Sequence, residues 1–130
     1  MSLKKTGVIL SEAKNLINKK GNKLYMEKLK NSDTHHLNYF YYGVPFTGSL
    51  GGLYGMQYKI SRDPMVNIFY DAKERENPDA CLLGEVWRGP LAHDNVDPEE
   101  ITSKKFEFTD EGKEELVNWL NEIYEKEYKR

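Results

Sequence analysis

An α+β domain, with a central antiparallel sheet of about four to six strands flanked by an N-terminal and a C-terminal helix, is what the patterning of this chain predicts. Three observations carry the prediction. Helical spacing is confined to the two ends, period-two alternation fills the middle, and the links between alternating runs are too short for the crossovers that parallel strands require. The 130 residues suit one domain, 1–130, large enough to bury roughly two-thirds of the surface exposed by an unfolded chain of that size.

Ala13, Leu16 and Ile17 recur at helical spacing behind Ser11, an N-cap residue type, and Gly21-Asn22 supplies a stop, so the first helix is placed from Ser11 to about Lys20. Lys23 to Lys30 fits a strand or a continued helix equally well. Asn31-Ser32-Asp33-Thr34 reads as a turn. The stretch from Asn38 to Lys59 then holds five of the nine tyrosines, Tyr39, Tyr41, Tyr42, Tyr54 and Tyr58. Aromatic residues suit a half-buried pleated surface, which predicts a strand over Leu37 to Tyr42, a Gly-rich connection through Pro45, Gly48, Gly51 and Gly52, and a second strand. On that second strand Tyr54, Met56, Tyr58 and Ile60 alternate with smaller or polar residues and should face the core.

Val66, Ile68 and Tyr70 alternate as a third strand after the turn Ser61 to Pro64, and the charged run Asp71 to Asp79 is an exposed loop. Ala80 to Trp87 places Leu82 and Val86 on one side and Leu83, Glu85 and Trp87 on the other; apolar residues on both faces mark a central strand. Asp97 caps a short helical turn with Pro98 at its first position. Phe106 and Phe108 alternate on a last strand. Thr109-Asp110-Glu111 then opens the clearest element, a helix to about Lys126 with Leu116, Leu120, Ile123 and Tyr124 as its apolar stripe.

Composition narrows function by exclusion. The net charge is -2 with 31% charged residues, which argues against nucleic acid as a partner. The charge is unevenly spread: +6 over residues 1–30 and -6 over residues 93–130. Apolar runs are far too short to span a bilayer, Cys81 is the single cysteine, and no leader pattern stands at the start, so a cytoplasmic location is expected. Gly48 to Gly52 lacks the Lys-Ser/Thr and the following helix of a phosphate loop. Ser49 lacks a nucleophile elbow. His35 and His36 point apart in an extended chain, Cys81 in a buried strand reads as inert, and Glu99 and Glu100 belong to the helical turn. No catalytic residue, metal site or cofactor is assigned.

Glu85, between Leu83 and Trp87, needs a partner if buried, and Arg62, Arg88 and Lys59 are the cations on offer. With both helices on one side of the sheet, the other side would carry a mixed aromatic and charged surface from Tyr39, Tyr41, Lys59, Arg62, Glu85 and Trp87. The leading expectation is a non-enzymatic interaction module forming a homodimer through that face. The competing one is a small ligand-binding protein or enzyme with a pocket on the same face, using Glu85 and Arg62.

Overall fold

The computed structural model describes residues 26–129. The helix expected from Ser11 to about Lys20 lies outside the described residues, as does the first part of Lys23 to Lys30. Four strands form one sheet in sequence order, every neighbour antiparallel: β1 (Phe46–Leu50), β2 (Met56–Asp63), β3 (Cys81–Arg88) and β4 (Thr102–Glu107). A one-turn helix, α1 (Ala72–Arg75), interrupts the β2–β3 connection. The long helix α2 (Asp110–Ile123) follows β4 and widens into a π turn over Tyr124–Tyr128. Among the described residues, no helix is long and apolar enough to cross a membrane.

Alternation decides what α2 covers. Leu50, Met56, Tyr58, Ile60, Leu82, Val86 and Phe106 share one sheet face by register, and all are buried. Against them α2 lays Leu116, Val117, Leu120, Ile123 and Tyr124, the stripe that helical spacing selects. Gly84 lets the helix come close, since a Cβ there would stand 3.0 Å from the Trp119 ring and 3.3 Å from Leu116. Thr109 caps the helix by accepting the Gly112 N–H. At the other end Arg88 donates to the Glu127 and Tyr54 carbonyls and lies over the Tyr128 ring, joining the π turn to the sheet.

Residues 26–30 form neither helix nor strand. Asn121 of α2 holds this segment as a strand neighbour would: its side chain accepts the Leu29 N–H at 2.8 Å and donates to the Leu29 carbonyl at 2.8 Å. Both backbone groups are thereby satisfied while the Leu29 side chain enters the core.

Three sequence expectations are corrected. Leu37–Tyr42 is a 3-10 helix, not a strand; three residues per turn bring Leu37 and Phe40 to one side, and Phe40 is fully buried. The strand paired with β2 is instead Phe46–Leu50, inside the stretch read as a connection, and Gly51 and Gly52, both at φ 84°, begin the turn. Tyr54 accordingly falls in that turn and is exposed, while Met56, Tyr58 and Ile60 are buried as expected. Residues 66–70 form no strand: β1 and β3 occupy both sides of β2, so Val66, Ile68 and Tyr70 cannot return beside it as a hairpin.

Candidate functional site

The end of the sheet where β2 leads into the β2–β3 connection carries several exposed large apolar side chains, on two loops that touch. Gly43 closes the 3-10 helix at φ 78°, and a Cβ there would lie 2.8 Å from the Val66 carbonyl carbon, so only glycine permits this approach. The Ile68 N–H donates to the Tyr41 carbonyl at 2.9 Å, and the Tyr42 and Phe69 rings sit 4.9 Å apart. Tyr42, Val44, Met65, Phe69 and Tyr70 are all exposed, Tyr70 to 90%. Ile68 alone points inward from the second loop, and Asn67 turns the chain by accepting the Phe69 N–H.

Arg62 holds that loop in place. It is 2% exposed and projects from the helix side of β2. Its guanidinium donates to the Pro64 carbonyl at 2.8 Å and the Glu74 carbonyl at 2.9 Å, pairs with the Glu74 carboxylate at 3.3 Å, and lies 5.6 Å from the Phe108 ring centre. Asn77 donates to the same Glu74 oxygen, Oε1, at 3.0 Å, and Asp71 caps α1 by accepting the Lys73 and Glu74 N–H groups. A cleft of about 610 Å³ opens between this loop and the start of α2, with Tyr41, Arg62, Phe69, Arg75 and Phe108 among its walls.

The six residues singled out in the sequence do not form one surface. Lys59, Glu85 and Trp87 share the face away from α2, Lys59 directly opposite Glu85. Arg62 lies on the other face by strand parity, so Arg62 and Glu85 do not line a common pocket. Tyr39 stacks on His35 at 4.0 Å and donates its hydroxyl to the Pro45 carbonyl, while Tyr41 packs on Phe108 and Phe69. Phe69, Tyr70 and Met65 had no place among the expected binding residues, because alternation assigned residues 66–70 to a strand.

The face bearing Glu85 is partly covered by the β3–β4 connection. Trp87 is 3% exposed and donates its indole N–H to the Leu91 carbonyl at 2.7 Å. Glu85 finds a partner that sequence distance had hidden: His93 Nε2 lies 3.0 Å from its carboxylate, and His93 Nδ1 lies 3.0 Å from Asp94. The bond to Glu85 raises the His93 pKa above its ordinary value, with Asp94 adding to it and burial opposing. A carboxylate at each ring nitrogen favours the imidazolium, in which both nitrogens donate. Burial pushes the Cys81 thiol up, the Asp63 charge adding, away from a reactive thiolate. Among the described residues no group of three or more His, Cys, Asp or Glu side chains could hold a metal ion.

Comparisons with protein-family models, with curated proteins and with solved structures found no match to this chain.

Proposed function

We propose that the protein is a non-enzymatic interaction module that self-associates, and that its contact surface is the aromatic end of the sheet rather than the sheet face. The observation that supports this reading is the exposure of Tyr42, Val44, Met65, Phe69 and Tyr70 on two loops that meet at Gly43 and at the Ile68–Tyr41 backbone bond, the second of them held by Arg62. Large aromatic side chains on rigid backbone lose little conformational freedom on contact, which is why such residues dominate interface energetics. The occupant is a second copy of the chain. Charges flanking the patch have both signs, Asp71 and Asp79 beside Lys73 and Arg75, and a two-fold contact can set them against one another.

Light scattering on the full chain at micromolar concentration tests the reading. The expected mass is that of a dimer, falling to a monomer in the double variant Phe69→Ser/Tyr70→Ser, whose exposed positions leave the fold intact. A monomer mass for the unaltered protein, or a dimer that survives the double substitution, refutes it.

A further inference from the structure

A second cation is sealed inside the molecule, far from the aromatic end in sequence and without a carboxylate. Lys113, in the first turns of α2, is 4% exposed. Its ammonium donates to Asn31 Oδ1 at 2.7 Å and to the Asn31 carbonyl at 3.2 Å. An ammonium has three donors, so one is left over, and among the described residues Lys113 makes no ion pair. Burial lowers its pKa, with the exposed Asp110 one turn back opposing.

The turn itself does not depend on this lysine. The Asn31 carbonyl already accepts the Thr34 N–H and the Thr34 hydroxyl, and Asp33 turns its carboxylate back to accept the Lys30 N–H at 2.8 Å. A buried charge with neither a counter-ion nor an indispensable structural bond is costly to retain. What it faces is a cleft of about 470 Å³, lined by Lys30, Asn31, Ser32, Thr34, His36 and Lys113, with no carboxylate in its walls. The side chains of Lys30, Ser32 and His36 are exposed and make no hydrogen bond to another described residue, nor does the Asn31 amide nitrogen.

We propose that this cleft binds a phosphoryl dianion, with Lys113 as the buried charge at its floor and Lys30, Ser32, His36 and the Asn31 amide as donors around its rim. Lysine serves phosphate as a point charge. Donors on several sides of one cleft match the three terminal oxygens of a phosphoryl group better than the two coplanar oxygens of a carboxylate, and its charge near neutral pH balances two ammonium groups. The dianion can be free phosphate or the head of a small phosphomonoester, for which the cleft has room.

Isothermal titration of the full chain with inorganic phosphate and, separately, with O-phosphoserine tests the site, with sodium chloride at equal ionic strength as the blank. One saturable site is expected for at least one of the two probes. Tighter binding of phosphoserine assigns the site to monoesters, and tighter binding of phosphate assigns it to the free ion. Lys30→Gln, an exposed change, should weaken binding at least several-fold, and Lys113→Met should abolish it. Lys113→Met is checked for native circular dichroism first; should it not fold, Lys30→Gln together with Ser32→Ala decides. Heat no greater than the chloride blank, or unchanged affinity in the folded variants, overturns the proposal.

Discussion

Arg62 and Lys113 are both cations enclosed by the fold, 2% and 4% exposed, and each borders a cleft, yet their surroundings differ in kind. Arg62 carries its counter-ion with it: Glu74 supplies a carboxylate and a carbonyl, and Pro64 a second carbonyl. Lys113 meets a neutral amide and a carbonyl that already has other donors. A guanidinium whose two terminal nitrogens are both taken up by the protein, one of them on a carboxylate, acts as a peg for the chain around it even with Nε left unpartnered among the described residues. An ammonium with a spare donor and no carboxylate keeps unspent attraction for an anion from outside. Burial alone therefore does not separate a structural cation from a receptive one; the inventory of its partners does.

Substitution should widen that contrast. Arg62→Met is expected to give the largest effect, a loss of about 3 kcal/mol, because it removes the charge partner of Glu74 and one donor from each of two carbonyls; the figure sits at the low end for a broken buried pair since Glu74 keeps Asn77 and some contact with water. Urea unfolding monitored by circular dichroism measures it, and a loss below about 1 kcal/mol would demote Arg62 from peg to bystander. The same change should blur the aromatic end, since residues 64–74 hang from Arg62.

Lys113→Met in phosphate-free buffer should cost about 1 kcal/mol or less, as the lost bonds are offset by relief of a desolvated charge. Its pH signature is more telling. The folded pKa lies below the unfolded value of 10.5, so the unfolded chain holds the proton more tightly and stability rises with pH between the two. Thermal midpoints of the unaltered protein should gain on those of Lys113→Met as pH is raised from neutral into that window. Parallel curves would show that the lysine is not strained by burial.

The smallest effect concerns His93, a third cation, which is half-buried and shared between two carboxylates. Its folded pKa lies above the ordinary 6.5, so the contact with Glu85 contributes fully below the unfolded value and is lost as pH rises through the folded one. The advantage of the unaltered protein over His93→Gln should be under about 1 kcal/mol at acid pH, given the partial exposure, and should vanish at mildly alkaline pH. An advantage that grows with pH would contradict the pairing.

Much of the architecture was legible because it rests on local repetition. The alternation of Met56, Tyr58 and Ile60, the two-sided apolar pattern of Cys81–Arg88, and the stripe of α2 with its Thr109 cap each encode an orientation toward the core in a few adjacent residues. The central placement of β3 followed from the same reasoning. Where several local solutions fit one pattern, the reading failed. Leu37–Tyr42 alternates as a strand does, but its core residue is Phe40, selected at a spacing of three by Gly43 and the neighbouring loop. Val66, Ile68 and Tyr70 alternate too, yet both sides of β2, the strand they follow, are taken by β1 and β3, so the hairpin return leg that the alternation suggested has no place.

The candidate sites were the least legible part, for a reason of distance. By itself the sequence determined the class of fold, the C-terminal helix and the side of each central strand that faces inward, since these depend on residue type at fixed short intervals. Only the tertiary structure decided that Glu85 meets His93, that Arg62 and Glu85 part to opposite faces, and that Lys113 reaches Asn31, 82 residues away in the chain. Partnerships of this kind depend on which loops the packed sheet brings together, and loop closure leaves no periodic trace in the residues that it joins.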